Sequence, residues 1–198
     1  MDVIEVKNQK EFEAVPCGFY GIVKIVKGDI FINRNDLENI YLYNNSIARL
    51  CDNNTATLCD NSTATLYGNS TAWLYDNSKA TLWNNSKATL YSHSKATLYG
   101  NSKAKLHDRS EANFFDKSRA WLHDYSIATL CGNSEATLWN YSIATLYAFS
   151  TATLYNYSTA NLYGNSKVEL YDNSEATLYD NSYVNINDNN TVYDFRHK

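Results

Sequence analysis

The chain has 198 residues, 21 acidic against 17 basic, for a net charge of −4, with four cysteines and a single proline. A nucleic-acid binder needs a dominant basic stripe, so no nucleic-acid partner is expected. No apolar run reaches bilayer-spanning length, and Met1-Asp-Val-Ile-Glu lacks the regions of a signal peptide, so a cytoplasmic location without membrane contact is expected.

Residues 1–45 stand apart in composition and read as a small α+β N-terminal capping segment. Val3 to Val6 predicts a strand. Asn8 is the N-cap of a short helix running to about Ala14, which Pro16-Cys17-Gly18 ends. Two strands follow, near 19–26 and 29–32. This segment is rich in Ile and Val, and covers the exposed apolar row and unpaired edge at the start of the repeats that follow. From Glu38 the repeat register is already present, with Ile40 and Leu42 at its inward positions.

Residues 46–189 are eighteen successive octads of the form Ser-x-Ala-Thr-Leu-Tyr-(Asp/Gly)-Asn. Ser fails only at Asn54, Ala only at Val168 and Val184, and Leu only at Phe114 and Ile186. A helix advances about 100° per residue, so eight residues would rotate the Leu column by about 80° per repeat and destroy any apolar stripe. A strand repeats every two residues, which divides eight, so Ser, Ala and Leu share one face. The second position varies among Ile47, Thr55, Lys79, Glu111, Arg119 and Tyr183, a range that solvent alone tolerates. Ser, Ala and Leu therefore point inward, and the closing Asp-Asn or Gly-Asn supplies a corner. The buried Ser column needs partners, most simply backbone groups at the corner or the Ser of the next coil.

The departures from consensus suggest the size of a coil. Gly68, Gly100, Gly132 and Gly164 are thirty-two apart, and the alternate corners, from Asp60 to Asp172, hold no glycine. His93, Arg109, Tyr125, Tyr141 and Tyr157 replace the closing Asn at a spacing of sixteen. A coil of sixteen residues and two strands stacks each set in one file. The expected fold is thus all-β, a parallel β-solenoid with two strands per coil. A triangular coil of twenty-four is the alternative, and duplication of a longer gene segment would leave the same pattern.

The final segment, 190–198, breaks the code and reads as a second cap or a docking surface. Val184, Ile186, Val192, Tyr193 and Phe195 have little chain left to cover them, which predicts an end-to-end homodimer there. Cys51 and Cys59 fall on opposite sides of a two-strand coil, Cys131 lies several coils away and Cys17 is in the cap. No pair is placed to form a disulfide.

Three outward features bear on function. Aromatic residues at the sixth position place Tyr67, Trp83, Tyr99 and Phe115 in one file and Tyr75, Tyr91, Tyr155 and Tyr171 in the other, as stabilising ladders or as an adhesive surface. His107-Asp108-Arg109 and His123-Asp124-Tyr125 recur sixteen apart and, with His93, Tyr141 and Tyr157, form a candidate binding patch at one corner. Two imidazoles and two carboxylates there could hold a divalent cation, although drift at exposed corners explains them equally well. Lys79, Lys87, Lys95 and Lys103 occupy successive second positions, where lysine is an ordinary solvent-facing residue. No nucleophile, phosphate loop or inward carboxylate pair is apparent, so no enzyme activity, metal site or cofactor is expected.

The third feature is threonine. Pairs such as Thr55/Thr57, Thr63/Thr65 and Thr151/Thr153 resemble the Thr-x-Thr rows of solenoidal ice-binding proteins, although Trp73 and Trp121 stand in the fourth-position row and Lys and Glu flank it. The two-strand coil is similar to calcium-binding nonapeptide rolls, whose Gly-Gly-x-Gly-x-Asp motif is absent here. Residues 46–189 resemble the tandem Ser-Ala-Thr-(Val/Leu) octad proteins of bacteria and their phages. That resemblance implies the fold and no activity. The expected function is a non-enzymatic structural or interaction rod, displaying Thr, aromatic and charged columns to a macromolecular partner or to itself; ice binding is the alternative.

Overall fold

A computed structural model describes residues 2–34, 36–37, 39–187 and 189–196. It begins with β1 (Val3–Val6), α1 (Gln9–Glu13), β2 (Ile22–Ile25), β3 (Asp29–Ile32) and β4 (Ile40–Leu42). After β5 (Ile47–Leu50), a four-residue strand recurs every eight residues through β22 (Tyr183–Ile186) and β23 (Thr191–Asp194). β1, β2 and all later even-numbered strands form one twelve-stranded parallel sheet. The odd-numbered strands from β3 to β23 form a second of eleven.

The coil is sixteen residues long. From β4 onward each strand pairs with the strand sixteen residues later, as in Lys87 with Lys103 and Leu90 with Leu106. This register excludes the twenty-four-residue triangle. Equivalent octad positions consequently fall opposite one another on every rung, and the octad becomes a set of columns running along the rod.

The inward face is the one that the octad implies. The Ala and Leu columns are buried from Ala48 to Leu178, and Phe114 fills a Leu position with no loss of burial. Ser is buried at every first position it holds, from Ser46 to Ser182. Twelve of these hydroxyls donate to the carbonyl three residues earlier and so close the corner on itself, as Ser94 does to Tyr91 at 2.8 Å and Ser158 to Tyr155 at 2.6 Å. Asn54 does the same through its amide, 2.6 Å from the Cys51 carbonyl. Among the described residues Ser46, Ser62, Ser78, Ser126 and Ser166 have no such partner.

The N-terminal end is sealed. Asn8 caps α1 by accepting from the Glu11 amide at 3.0 Å, and the Glu11 carboxylate accepts in return from the Lys7 amide at 2.8 Å. The helix turns Phe12 into the first coil, where it is 1% exposed. A tie that sequence reasoning missed holds the following loop. The Arg34 guanidinium donates to the Val15 and Pro16 carbonyls at 2.7 and 2.9 Å and grips Asp36, which accepts from the Gly18 amide at 2.6 Å. These donors, Arg34 first, hold the Asp36 carboxyl well below the usual carboxylate range.

Among the described residues no helix is long and apolar enough to cross a membrane. The four cysteines are free thiols, and burial pushes those of Cys51, Cys59 and Cys131 above the ordinary range.

Candidate functional site

The outward columns are the candidate sites, and the sixth position builds the most continuous of them. One edge carries seven consecutive rings: Tyr75, Tyr91, His107, His123, Trp139, Tyr155 and Tyr171, with centroids 4.7–5.9 Å apart and planes within 14° of parallel. The opposite edge carries Trp83, Tyr99 and Phe115, then Tyr147, Tyr163, Tyr179 and Phe195 after an interruption at Cys131. Both files expected from the sequence are present as columns; in the one that begins at Tyr67, stacking starts at Trp83, one rung later. The strand spacing of about 4.8 Å sets the ring separation, so stacking follows from the register.

This geometry changes the meaning of the histidines. His107 and His123 are members of the ladder, stacked on each other at 5.0 Å and closed above and below by Tyr91 and Trp139. Their positions in the octad are the aromatic ones, a signal visible in the sequence once the ladder is recognised. Burial, and then the neighbouring His107, push the His123 imidazole below its ordinary value. The adjoining carboxylates serve the corners. Asp108 accepts from the Ser92 amide one coil earlier at 3.1 Å, and Asp124 accepts from the Asn140 side chain at 3.1 Å. Among the described residues no three His, Cys, Asp or Glu side chains gather as a metal ion would require.

The corner column of His93, Arg109, Tyr125, Tyr141 and Tyr157 divides in two. At His93 and Arg109 the amide donates to the first corner carbonyl of the preceding coil, Asp76 and Ser92, at 3.0 and 3.2 Å. From Tyr125 the direction reverses: Tyr125, Tyr141 and Tyr157 donate to Asn140, Asn156 and Asp172 of the following coil, each at 3.2 Å. The dihedrals report the same change. Asp76, Ser92 and Asp108 alone have positive φ in their corners, whereas Asp124 and Tyr125, Asn140 and Tyr141, and Asn156 and Tyr157 have it in pairs. Two successive positive φ values belong to the I′ class of turn, which differs from II′ by a flip of the central peptide. The three tyrosines stack at 5.4 Å and are exposed. Sequence reasoning placed all five residues in one column and missed the peptide flip within it.

Threonine is sorted between the sheets. On the second sheet, Thr65, Thr81, Thr97, Asn113, Thr129, Thr145, Asn161 and Thr177 follow on consecutive rungs. Trp73 and Trp121, expected to interrupt such a row, both lie on the first sheet. The column beside the threonines carries Lys79, Lys95 and Glu111, with Lys95 and Glu111 paired at 2.7 Å.

At the C-terminal end, β22 and β23 are the last strands of their sheets. Val184 and Val192 are half-buried, and Tyr183, Ile186, Tyr193 and Phe195 are exposed. Phe195 also completes the second ladder against Tyr179. The candidate interface residues thus surround one terminal coil. No family model, curated protein or solved structure matches the chain. Its assignment as a repeat β-solenoid with sixteen-residue coils rests on its own register.

Proposed function

We propose that the protein is a non-enzymatic structural and interaction module, a stiff rod that displays regular columns and joins a second copy end to end through its C-terminal coil. The observation that carries this reading is the asymmetry of the two ends. The N-terminal coil is closed by α1 and Phe12. In the last coil an inward position that is buried elsewhere becomes open: Leu170 is 0% exposed and Ile186, its partner on the next rung, is 55% exposed. β22 and β23 are the terminal strands of their sheets; a sheet edge beside such a row favours strand addition, and a twofold axis gives the simplest closed assembly. Val184, Ile186 and Val192 form the apolar centre of that interface, with Tyr183, Tyr193 and Phe195 around it.

Light scattering on the intact chain tests this. A dimer that becomes a folded monomer on Ile186→Asp is the expected result. A native chain that stays monomeric throughout the micromolar range rejects the end-to-end assembly.

The Thr/Asn row of the second sheet favours a second reading, the ordering of water on a regularly spaced column of six Thr hydroxyls and two Asn amides, as in an ice-binding protein. The eight uninterrupted rungs support it. Thermal hysteresis that disappears on Thr97→Lys/Thr129→Lys would establish it, and no hysteresis in the native protein would remove it.

A further inference from the structure

The first sheet carries a cationic groove that neither ladder nor core explains. Its walls are two neighbouring columns. One holds the second corner residues Asn69, Asn85, Asn101, Lys117 and Asn133; the other includes Lys87, Lys103, Arg119 and Glu135. Together they line an open groove of about 640 Å³ along five coils. We infer that this groove binds an extended carboxylated polysaccharide, a uronate polymer lying along the axis of the rod.

Charge is the first argument. Lys87, Lys103 and Arg119 stand directly opposite one another on consecutive rungs, and like charges so placed repel. Lys117 adds a fourth cation from the corner. The only carboxylate of the lining, Glu135, lies at the far end and is engaged by Arg119 at 3.0 Å. Among the described residues Lys87, Lys103 and Lys117 have no ion pair. The corresponding second-sheet column has one such pair, Lys95 with Glu111, and a single further cation, Lys79, whereas the groove holds Lys87, Lys103 and Lys117 beyond its Arg119–Glu135 pair. A chain of net charge −4 therefore concentrates uncompensated positive charge in one groove, and an anionic ligand removes the repulsion.

Spacing and polarity identify the ligand class. The second-position cations repeat once per rung, about 4.8 Å, close to the length of one sugar unit in an extended chain. In a twofold extended chain alternate carboxylates face opposite sides, so those on one side recur every second sugar and meet cations two rungs apart, Lys87 and Arg119, with Lys103 between them and Lys117 on the facing wall. The four asparagine amides offer both donors and acceptors to ring hydroxyls. Single-stranded nucleic acid is bound on aromatic platforms, and no aromatic residue lines this groove.

Calorimetric titration of the full chain with oligogalacturonate at low salt tests the inference. The methyl-esterified oligomer serves as the uncharged control, and a thymidine oligonucleotide as the competing polyanion. The acid form binds, the ester does not, and Lys87→Gln/Lys103→Gln weakens binding by at least about tenfold, while Lys79→Gln/Lys95→Gln on the other sheet leaves it within about twofold. Both pairs are exposed, and thermal melts of the variants confirm that loss of binding reads the groove and not the fold. Absence of binding by the acid form, equal binding by the ester, or equal weakening by the second-sheet pair overturns the inference. Tighter binding of the oligonucleotide overturns it in favour of a nucleic-acid groove.

Discussion

His107 and His123 lie face to face in the middle of the seven-ring ladder, with centroids 5.0 Å apart and planes 7° from parallel. Protonation of both would place two like charges at stacking distance between Tyr91 and Trp139. His123 already has its proton affinity lowered, by burial first and by His107 second. A base with a depressed folded-state pKa takes up its proton more readily when unfolded, so stability is retained above the unfolded value and falls as the pH drops below about 6.5. The melting temperature of the native protein is expected to fall between about pH 7 and pH 5. His123→Tyr, which keeps a ring in the ladder, should reduce the fall. Parallel melting curves for the two proteins across that range would refute the coupling.

Ala148 occupies a corner position with φ of +58°, between Gly132 and Gly164 of the coils before and after it. An L-residue there carries left-handed strain of about 1–2 kcal/mol, offset in part by the greater freedom glycine has when unfolded. Ala148→Gly is therefore expected to stabilise the protein by about 0.5–1 kcal/mol. Urea unfolding measures it; a lower midpoint at unchanged slope would show that the methyl group contributes packing that outweighs the strain.

Cys131 separates two stacks in one column, with Phe115 one rung before it and Tyr147 one rung after. Cys131→Phe should join them into a single ladder from Trp83 to Phe195. Two new ring pairs at a partly exposed edge are expected to add about 1 kcal/mol. The same urea assay, together with increased near-ultraviolet ellipticity, reports the joining. No gain would indicate that the backbone around Gly132 holds a ring at this position out of register.

The octad determined strand conformation, the inward face and the columns, because a period of two divides eight and only Ser, Ala and Leu stay nearly constant. The thirty-two-residue recurrence of Gly68, Gly100, Gly132 and Gly164 pointed to two unlike corners and hence to sixteen residues per coil. The cap was legible from the Asn8 helix start and from its Ile and Val content. The tertiary structure decided features that depend on which atoms meet across coils. Asn at the closing position accommodates either turn, so no residue type announced that the peptide before Tyr125 points its amide to the following coil while that before Arg109 points back. His107 and His123 are ordinary titratable residues in a linear sequence and become ladder rings only when coils stack. The Thr/Asn row was implicit in the two-strand coil, which sends alternate octads to opposite sheets, but it was read as one row with Trp73 and Trp121, and the register places both on the other sheet. Lys117 joins Lys87, Lys103 and Arg119 for the same reason: a corner residue and a strand residue become neighbours only where the turn lays two columns side by side.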